Sequence, residues 1–174
     1  MANTFILIAK TELSSTNNII QFTSIPQTYQ DLFIYVSART SGAAENTIYF
    51  PFNGQSPTQN QTARVSYGRG GAGAALATIK DGWHSIGTSM FNQTANNYAV
   101  TKYYLYRYAD TSYRKTALII GGNENNSTAI DSAYISSSSQ TWNQTAAITT
   151  INITIGSDTF TAGSSAYLYG IKNS

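Results

Sequence analysis

Residues 31–40, DLFIYVSART, set Leu32, Ile34, Val36 and Ala38 on alternate positions, with Tyr35, Ser37 and Arg39 between them. A repeat of two puts one set on each side of an extended chain, so this stretch reads as a strand with one face in a core. INITI (151–155) repeats the pattern, with Ile151, Ile153 and Ile155 against Asn152 and Thr154. KYYLYRY (102–108) alternates Tyr104, Tyr106 and Tyr108 with Tyr103, Leu105 and Arg107. FILIA, NIIQFT, NTIYF, ARVSY, TALII, DSAYIS and SSAYLYGI are further runs of β-branched and aromatic residues, the types that suit a pleated, half-buried surface.

Turn-rich clusters separate these runs: SIPQT, TSGAAEN, FNGQSP, YADTS, GGNENNS and IGSDT. Asn53-Gly54 and Gly156-Ser157-Asp158 are hairpin-type signals. No window of eleven residues carries a helical stripe. GAALATIKDG comes nearest, but a glycine bounds it at each end and it is barely two turns long. A single 3₁₀ turn is predicted from Pro26 to Tyr29. About ten strands at short, regular spacing predict an all-β fold, an antiparallel two-layer β-sandwich of jelly-roll type. With no linker, repeat or break in composition, residues 1–174 read as one domain.

Only 10% of the residues are charged, against about 25% in an ordinary globular chain. The surface is therefore built from Ser, Thr, Asn, Gln and Tyr, which suits lateral packing against other proteins. Ten Lys and Arg against eight Asp and Glu leave a formal charge of +2. These charges are scattered singly, without the basic stripe that nucleic acid requires. The apolar run from Phe5 to Ala9 is too short for a signal peptide or a membrane span, so a soluble chain is expected, with neither membrane nor nucleic acid as partner. Without cysteine there is no disulfide, thiolate metal site or thiol nucleophile.

Gly68, Gly70 and Gly73 have the G-x-G-x-x-G spacing of a dinucleotide loop. That chemistry needs a strand before the motif, a helix after it, and an acidic residue about twenty positions on. A strand precedes, but the Ala-rich continuation breaks at Asp81-Gly82 and the next acidic residue is Asp110. The glycines therefore read as a backbone-permissive surface loop that lies close against a neighbour, and no cofactor is expected. His84 is the single histidine, so a His-based zinc site cannot form, and G-x-S-x-G is absent. Glu12, Asp31, Glu45, Asp81, Asp110, Glu124, Asp131 and Asp158 are the carboxylates, most of them in turns or at strand starts. Asn123, Glu124, Asn125 and Asn126 offer a cation only one carboxylate and read as a polar turn. Trp83, Trp142 and the tyrosines read first as core or interface residues and second as a sugar-stacking platform. No catalytic set emerges, and the chain is expected not to be an enzyme.

Four stretches carry a resemblance: IIQFTSIPQTYQDLFIYVSART (19–40), YFPFNGQ (49–55), YLYRYADTSYRKTAL (104–118) and AAITTINITIGSDTFTAGSSAYLYGIKNS (146–174). Together they are similar to a family of small structural proteins of tailed bacteriophages, especially those of cyanobacteria and other aquatic bacteria. The shared pattern is F-x-x-I-P-x-x-Y-x-D-L at the start and I-T-x-I-x-I, F-x-x-G-S and L-Y-G-I at the end. The resemblance implies a β-sandwich virion protein and brings no catalytic residue. In physical terms, Pro26 fixes a turn, Tyr29 buries its ring with its hydroxyl bonded across that turn, and Asp31 caps the turn amides. Gly163 permits the bend before the last strand, and Gly170 permits a close approach of backbone.

The expected function is a capsid decoration or cement protein that binds and stabilises the shell, made in the host cytoplasm and located on the virion. Its expected partners are the major capsid protein and other virion proteins, with self-association as a homotrimer. The alternative is a receptor- or carbohydrate-binding module of a tail or head fibre, with a host surface glycan as partner. The candidate interface comprises Phe5, Ile6 and Ile8 of the first strand, Gly68, Arg69, Gly70, Gly71 and Gly73 of the glycine loop, and Trp83 and His84.

Overall fold

Twelve strands form along the described residues of the computed structural model, which are 4–42, 46–57, 59–69, 75–80, 89–90, 97–123 and 134–172. They are β1 (Phe5–Glu12), β2 (Ile19–Phe22), β3 (Asp31–Ala38), β4 (Asn46–Tyr49), β5 (Gln61–Arg69), β6 (Ala75–Lys80), β7 (Ser89–Met90), β8 (Ala99–Tyr106), β9 (Lys115–Asn123), β10 (Tyr134–Trp142), β11 (Ile151–Ile155) and β12 (Ser165–Ile171). The larger sheet has eight strands in the order β1-β12-β3-β8-β9-β10-β5-β6, and the smaller has four in the order β2-β11-β4-β7. Every neighbouring pair is antiparallel. Among the described residues there is no helix.

The alternation read from the sequence decides which sides meet. Leu32, Ile34, Val36 and Ala38 of β3, Ala166 and Leu168 of β12, and Tyr103 and Leu105 of β8 face inward from the larger sheet. Ile151, Ile153 and Ile155 of β11, Ile20 and Phe22 of β2 and Ile48 of β4 meet them from the smaller. On the outside of the smaller sheet, Gln21 Nε2 donates to Asn152 Oδ1 at 2.8 Å, so the polar set of INITI pairs with that of its neighbour. The chain changes sheet at every connection except those from β5 to β6, β8 to β9 and β9 to β10. The β5-β6 and β9-β10 hairpins extend the larger sheet beyond β8 and pair with each other through β10 and β5.

Several local expectations are corrected. Residues 26–29 form bends and no 3₁₀ turn. The Tyr108 hydroxyl donates to the Pro26 carbonyl and Gln27 Nε2 to the Ile25 and Ile148 carbonyls, so tertiary bonds replace the helical one. Asn53 and Gly54 both have positive φ (50° and 74°) and close a tight turn, with Gln55 N donating to Phe52 O at 3.0 Å. No hairpin follows; the Asn53 side chain binds the 147–150 segment instead, through Ala147 O, Thr149 N and Thr150 N. Residues 156–158 likewise join strands of different sheets. There Asp158 Oδ1 accepts from Ser41 Oγ and Thr159 N and Oδ2 from Gly42 N, tying two crossings together. Burial raises that carboxyl's pKa, but the bonds from Ser41, Thr159, Gly42 and Thr40 outweigh it and leave the pKa below the ordinary value. Tyr108 departs from its alternation: Arg107 takes φ 47°, the strand ends, and Tyr108 turns fully inward. Gly163 does make the bend, at φ 84°, and a Cβ on Gly170 would collide with the Tyr29 ring.

Beneath the extension the interior is polar. The Tyr103 hydroxyl donates to Gln140 Oε1 at 2.7 Å, Gln140 Nε2 to Gln61 Oε1 at 2.6 Å, and Gln61 Nε2 to the Phe50 carbonyl at 3.2 Å. Buried polar groups persist only when so paired. Burial pushes the Tyr103 phenol well up, and burial followed by the Asp31 carboxylate pushes Tyr104 to about 12. Both folded values exceed the unfolded one of about 10, so their stabilisation is complete below that pH and is lost as pH rises through the folded values. A phenolate absorbance titration should therefore show a step near pH 12 from Tyr104 and a last component that appears only with unfolding. Tyr103→Phe should remove that last component; a single step near pH 10 for every tyrosine contradicts the assignment.

Candidate functional site

Of the two segments read from the sequence as an interface, β1 and the start of the second, Gly68 and Arg69, are among the described residues, and they are far apart. β1 is an edge strand of the larger sheet, while β5 lies six positions away, one strand in from the other edge. At about 4.8 Å per strand this is roughly 29 Å, so the two do not form one rim. On β1, Phe5 is exposed, Ile6 and Ile8 are half-buried, and the register slips between Leu7 and Ala9, leaving Ile8 unpaired in a bulge. A bulge twists an edge and limits indiscriminate pairing, yet the outer main chain of β1, without a partner among the described residues, can pair with another strand. Lys10 and Glu12 at its end form a 3.0 Å ion pair, exposed and so of small energy.

Gly68 and Arg69 are in β5 and not in a loop, which corrects the expected boundary. Gly68 pairs with Ile135 on one side and Ala75 on the other, and an added Cβ would press on Ile135. The motif runs from strand β5 into antiparallel strand β6, without the βαβ unit that a pyrophosphate loop requires. Gly70, Gly71, Gly73, Trp83 and His84 lie outside the described residues, as do Glu45, Asp81, Glu124, Asp131, Asn125 and Asn126.

A cleft of about 620 Å³ opens at one end of the sandwich, lined by Tyr29, Gln30, Arg107, Ala109, Asp110 and Tyr113. The turn after β8 builds most of it. Asp31 does not cap its own turn; its Oδ1 accepts from Arg107 N at 2.8 Å and its Oδ2 from the Tyr104 hydroxyl at 3.0 Å, holding Arg107 in its left-handed conformation. The Arg107 guanidinium lies 5.1 Å over the Tyr113 ring, and Lys172 Nζ lies 5.5 Å over Tyr29. Lys115, fully buried behind the turn, donates to the carbonyls of Asp110, Tyr113 and Thr145. Asp110 is the only carboxylate in the lining, and its Oδ1 already accepts from Ser112 N. Such a lining stacks rings and forms hydrogen bonds, but it lacks the facing carboxylate pair that glycoside hydrolysis uses. Among the described residues no three of His, Asp and Glu converge on a point that would hold a metal.

Sequence reasoning passed over this cleft because its residues come from two segments far apart in the chain, and it passed over the outward face of β9 and β10. The signal for the second was present: Leu118, Ile120 and Ile135 alternate with Ala117, Ile119 and Ser136, but the period alone does not say which set is covered. No protein-family model matches the chain, and neither a curated protein nor a solved structure is detectably similar to it.

Proposed function

We propose that the protein is a non-enzymatic structural component of a tailed bacteriophage virion that attaches to the assembled capsid shell and stabilises it. The observation that carries this reading is the edge of β1, a strand of eight residues whose outer main chain has no partner among the described residues and whose Phe5 and Leu7 are about half exposed. Such an edge adds to a partner's sheet through main-chain hydrogen bonds, with the alternate side chains giving selectivity. The strand order lends support. We read β1-β12-β3-β8 against β2-β11-β4-β7 as a jelly-roll order with hairpins inserted after β4 and after β8. Jelly rolls occur in viral capsids and in lectins, so this support is fold-level analogy.

The test mixes purified protein with capsids that lack it and measures occupancy and the melting temperature of the shell. Saturable binding, a raised melting temperature and only modest weakening by salt are expected, because so few charges are available to be screened. Pro in place of Leu7, whose N–H points away from β12, removes an outer main-chain donor from β1 and is expected to lower occupancy. The cleft at Tyr29, Arg107 and Tyr113 favours a second reading, a glycan-binding module of a tail or head fibre. Absence of shell binding together with binding to host surface glycans establishes that reading in place of the first.

A further inference from the structure

Across β9 and β10 the division of a sheet into an apolar inside and a polar outside holds only in part: Ala117, Ile119 and Trp142 face in, but polar side chains join them and aliphatic ones face out. Lys115, Asn123, Ser136, Ser138 and Gln140 are buried beneath the sheet. On its outward side Leu118 is 43%, Ile120 47% and Ile135 66% exposed. A sequence that specifies one fold keeps pattern and burial in agreement, and departures concentrate where a surface is used. The aliphatic group also continues into an aromatic one. Cross-strand pairing lines up Leu7, Tyr169, Phe33, Tyr104 and Leu118 in a single row over β1, β12, β3, β8 and β9. Tyr167, Tyr35, Lys102 and Ile120 form the next row.

We infer that this outward face of the eight-stranded sheet is covered by a second copy of the same chain. The first argument is area. Eight strands at about 4.8 Å spacing and roughly 24 Å of strand length give a face of roughly 900 Å², while a stable interface takes about 800 Å² from each partner. Apolar patches beyond a few hundred Å² are uncommon on solitary soluble chains and mark interaction sites. The second argument is anatomy. The apolar centre on β3, β8 and β9 is flanked on one side by the hydroxyls of Ser137, Ser139, Thr62 and Ser66 and on the other by the Lys10–Glu12 pair. An apolar centre with a polar rim is the layout of a protein–protein interface. Lys102 is the one charge within the centre among the described residues, and its aliphatic stem can be covered while the ammonium stays in water.

The third argument selects the occupant. Leu118, Ile120 and Ile135 have no ring on which a sugar stacks, so a polysaccharide leaves the most exposed part of the face unused. A flat sheet packs well on another sheet at about 10 Å, and every copy of the chain presents the same face. Because the face meets its own copy, the smallest closed arrangement that covers it on both chains is a twofold dimer, whereas three copies was the expectation from the sequence. This inference is independent of the capsid reading, since assembly is measured without capsids.

Light scattering and sedimentation of the purified chain at about 20 µM should give twice the single-chain mass of 18.8 kDa. Leu118→Lys combined with Ile120→Lys should return the mass to one chain with an unchanged circular dichroism spectrum, and Ile135→Asp should weaken assembly by itself. Gln21→Lys, on the outside of the smaller sheet, should leave the mass of the wild type. A single-chain mass for the wild type up to about 50 µM, or assembly that survives both outward-face variants, overturns the inference.

Discussion

Trp142→Ala should destabilise the protein by about 3–5 kcal/mol, the largest effect of any single truncation considered, and lower its melting temperature by roughly 6–20 °C. Trp142 closes β10, is 1% exposed, and meets Phe52 edge-on at 5.5 Å. Phe52 continues to Tyr103 at 6.4 Å, and Tyr103 to Phe50 at 4.2 Å, so one aromatic chain joins the inserted hairpins to the sandwich core. Removing the indole leaves a void between these parts and strips Gln55 Oε1 of its 2.9 Å donor. Trp142→Phe keeps a ring in place and loses mainly that bond, and should cost about 1 kcal/mol. Thermal and denaturant unfolding of both variants check the order; equal losses would place the stabilisation in the hydrogen bond and not in the packing.

The second large effect is expected at Lys115. Its Nζ serves three carbonyls, those of Asp110, Tyr113 (2.7 Å) and Thr145 (3.0 Å), and the side chain is fully buried. Burial lowers the pKa of this ammonium, and the Asp110 charge partly restores it. Lys115→Met retains most of the volume and leaves the carbonyls without a donor; at about 1–3 kcal/mol for each acceptor that water cannot reach, a total of about 3 kcal/mol is expected. Because Lys115 holds the turn that carries Arg107 and Tyr113, hydrogen exchange in residues 107–114 should rise more than stability alone explains. A variant with wild-type melting temperature and unchanged exchange would remove Lys115 from this role.

Lys115 also marks where sequence reading stops. In KTALII the lysine reads as the polar end of a strand, since Lys is among the residues least often buried. Three carbonyls from two different loops make its burial tolerable, and their convergence is a property of the folded chain. Asp31 behaves likewise. Its position before Leu32 suggests a cap for its own turn, yet its acceptors go to Tyr104 and Arg107, more than seventy residues along the chain. Where a motif acts through local backbone, it was legible: Gly163 bends at positive φ, whereas Gly170 admits the ring of the distant Tyr29 and not the backbone approach or bulge expected there.

The sequence by itself determined most of the strands and the inward set in β3 and β11, because a period of two with β-branched residues has one extended solution and one face that water disfavours. It also determined that the glycine motif lies outside any βαβ unit. Only the tertiary structure decided that the two hairpins extend one sheet to eight strands, that β1 is left as an edge, and that Leu118, Ile120 and Ile135 face out while Ser136, Ser138 and Gln140 face in. The reason is physical. Alternation divides a strand into two faces, but which face is covered depends on pairing and layer contacts between residues distant in the chain, and the short-range pattern carries no record of them.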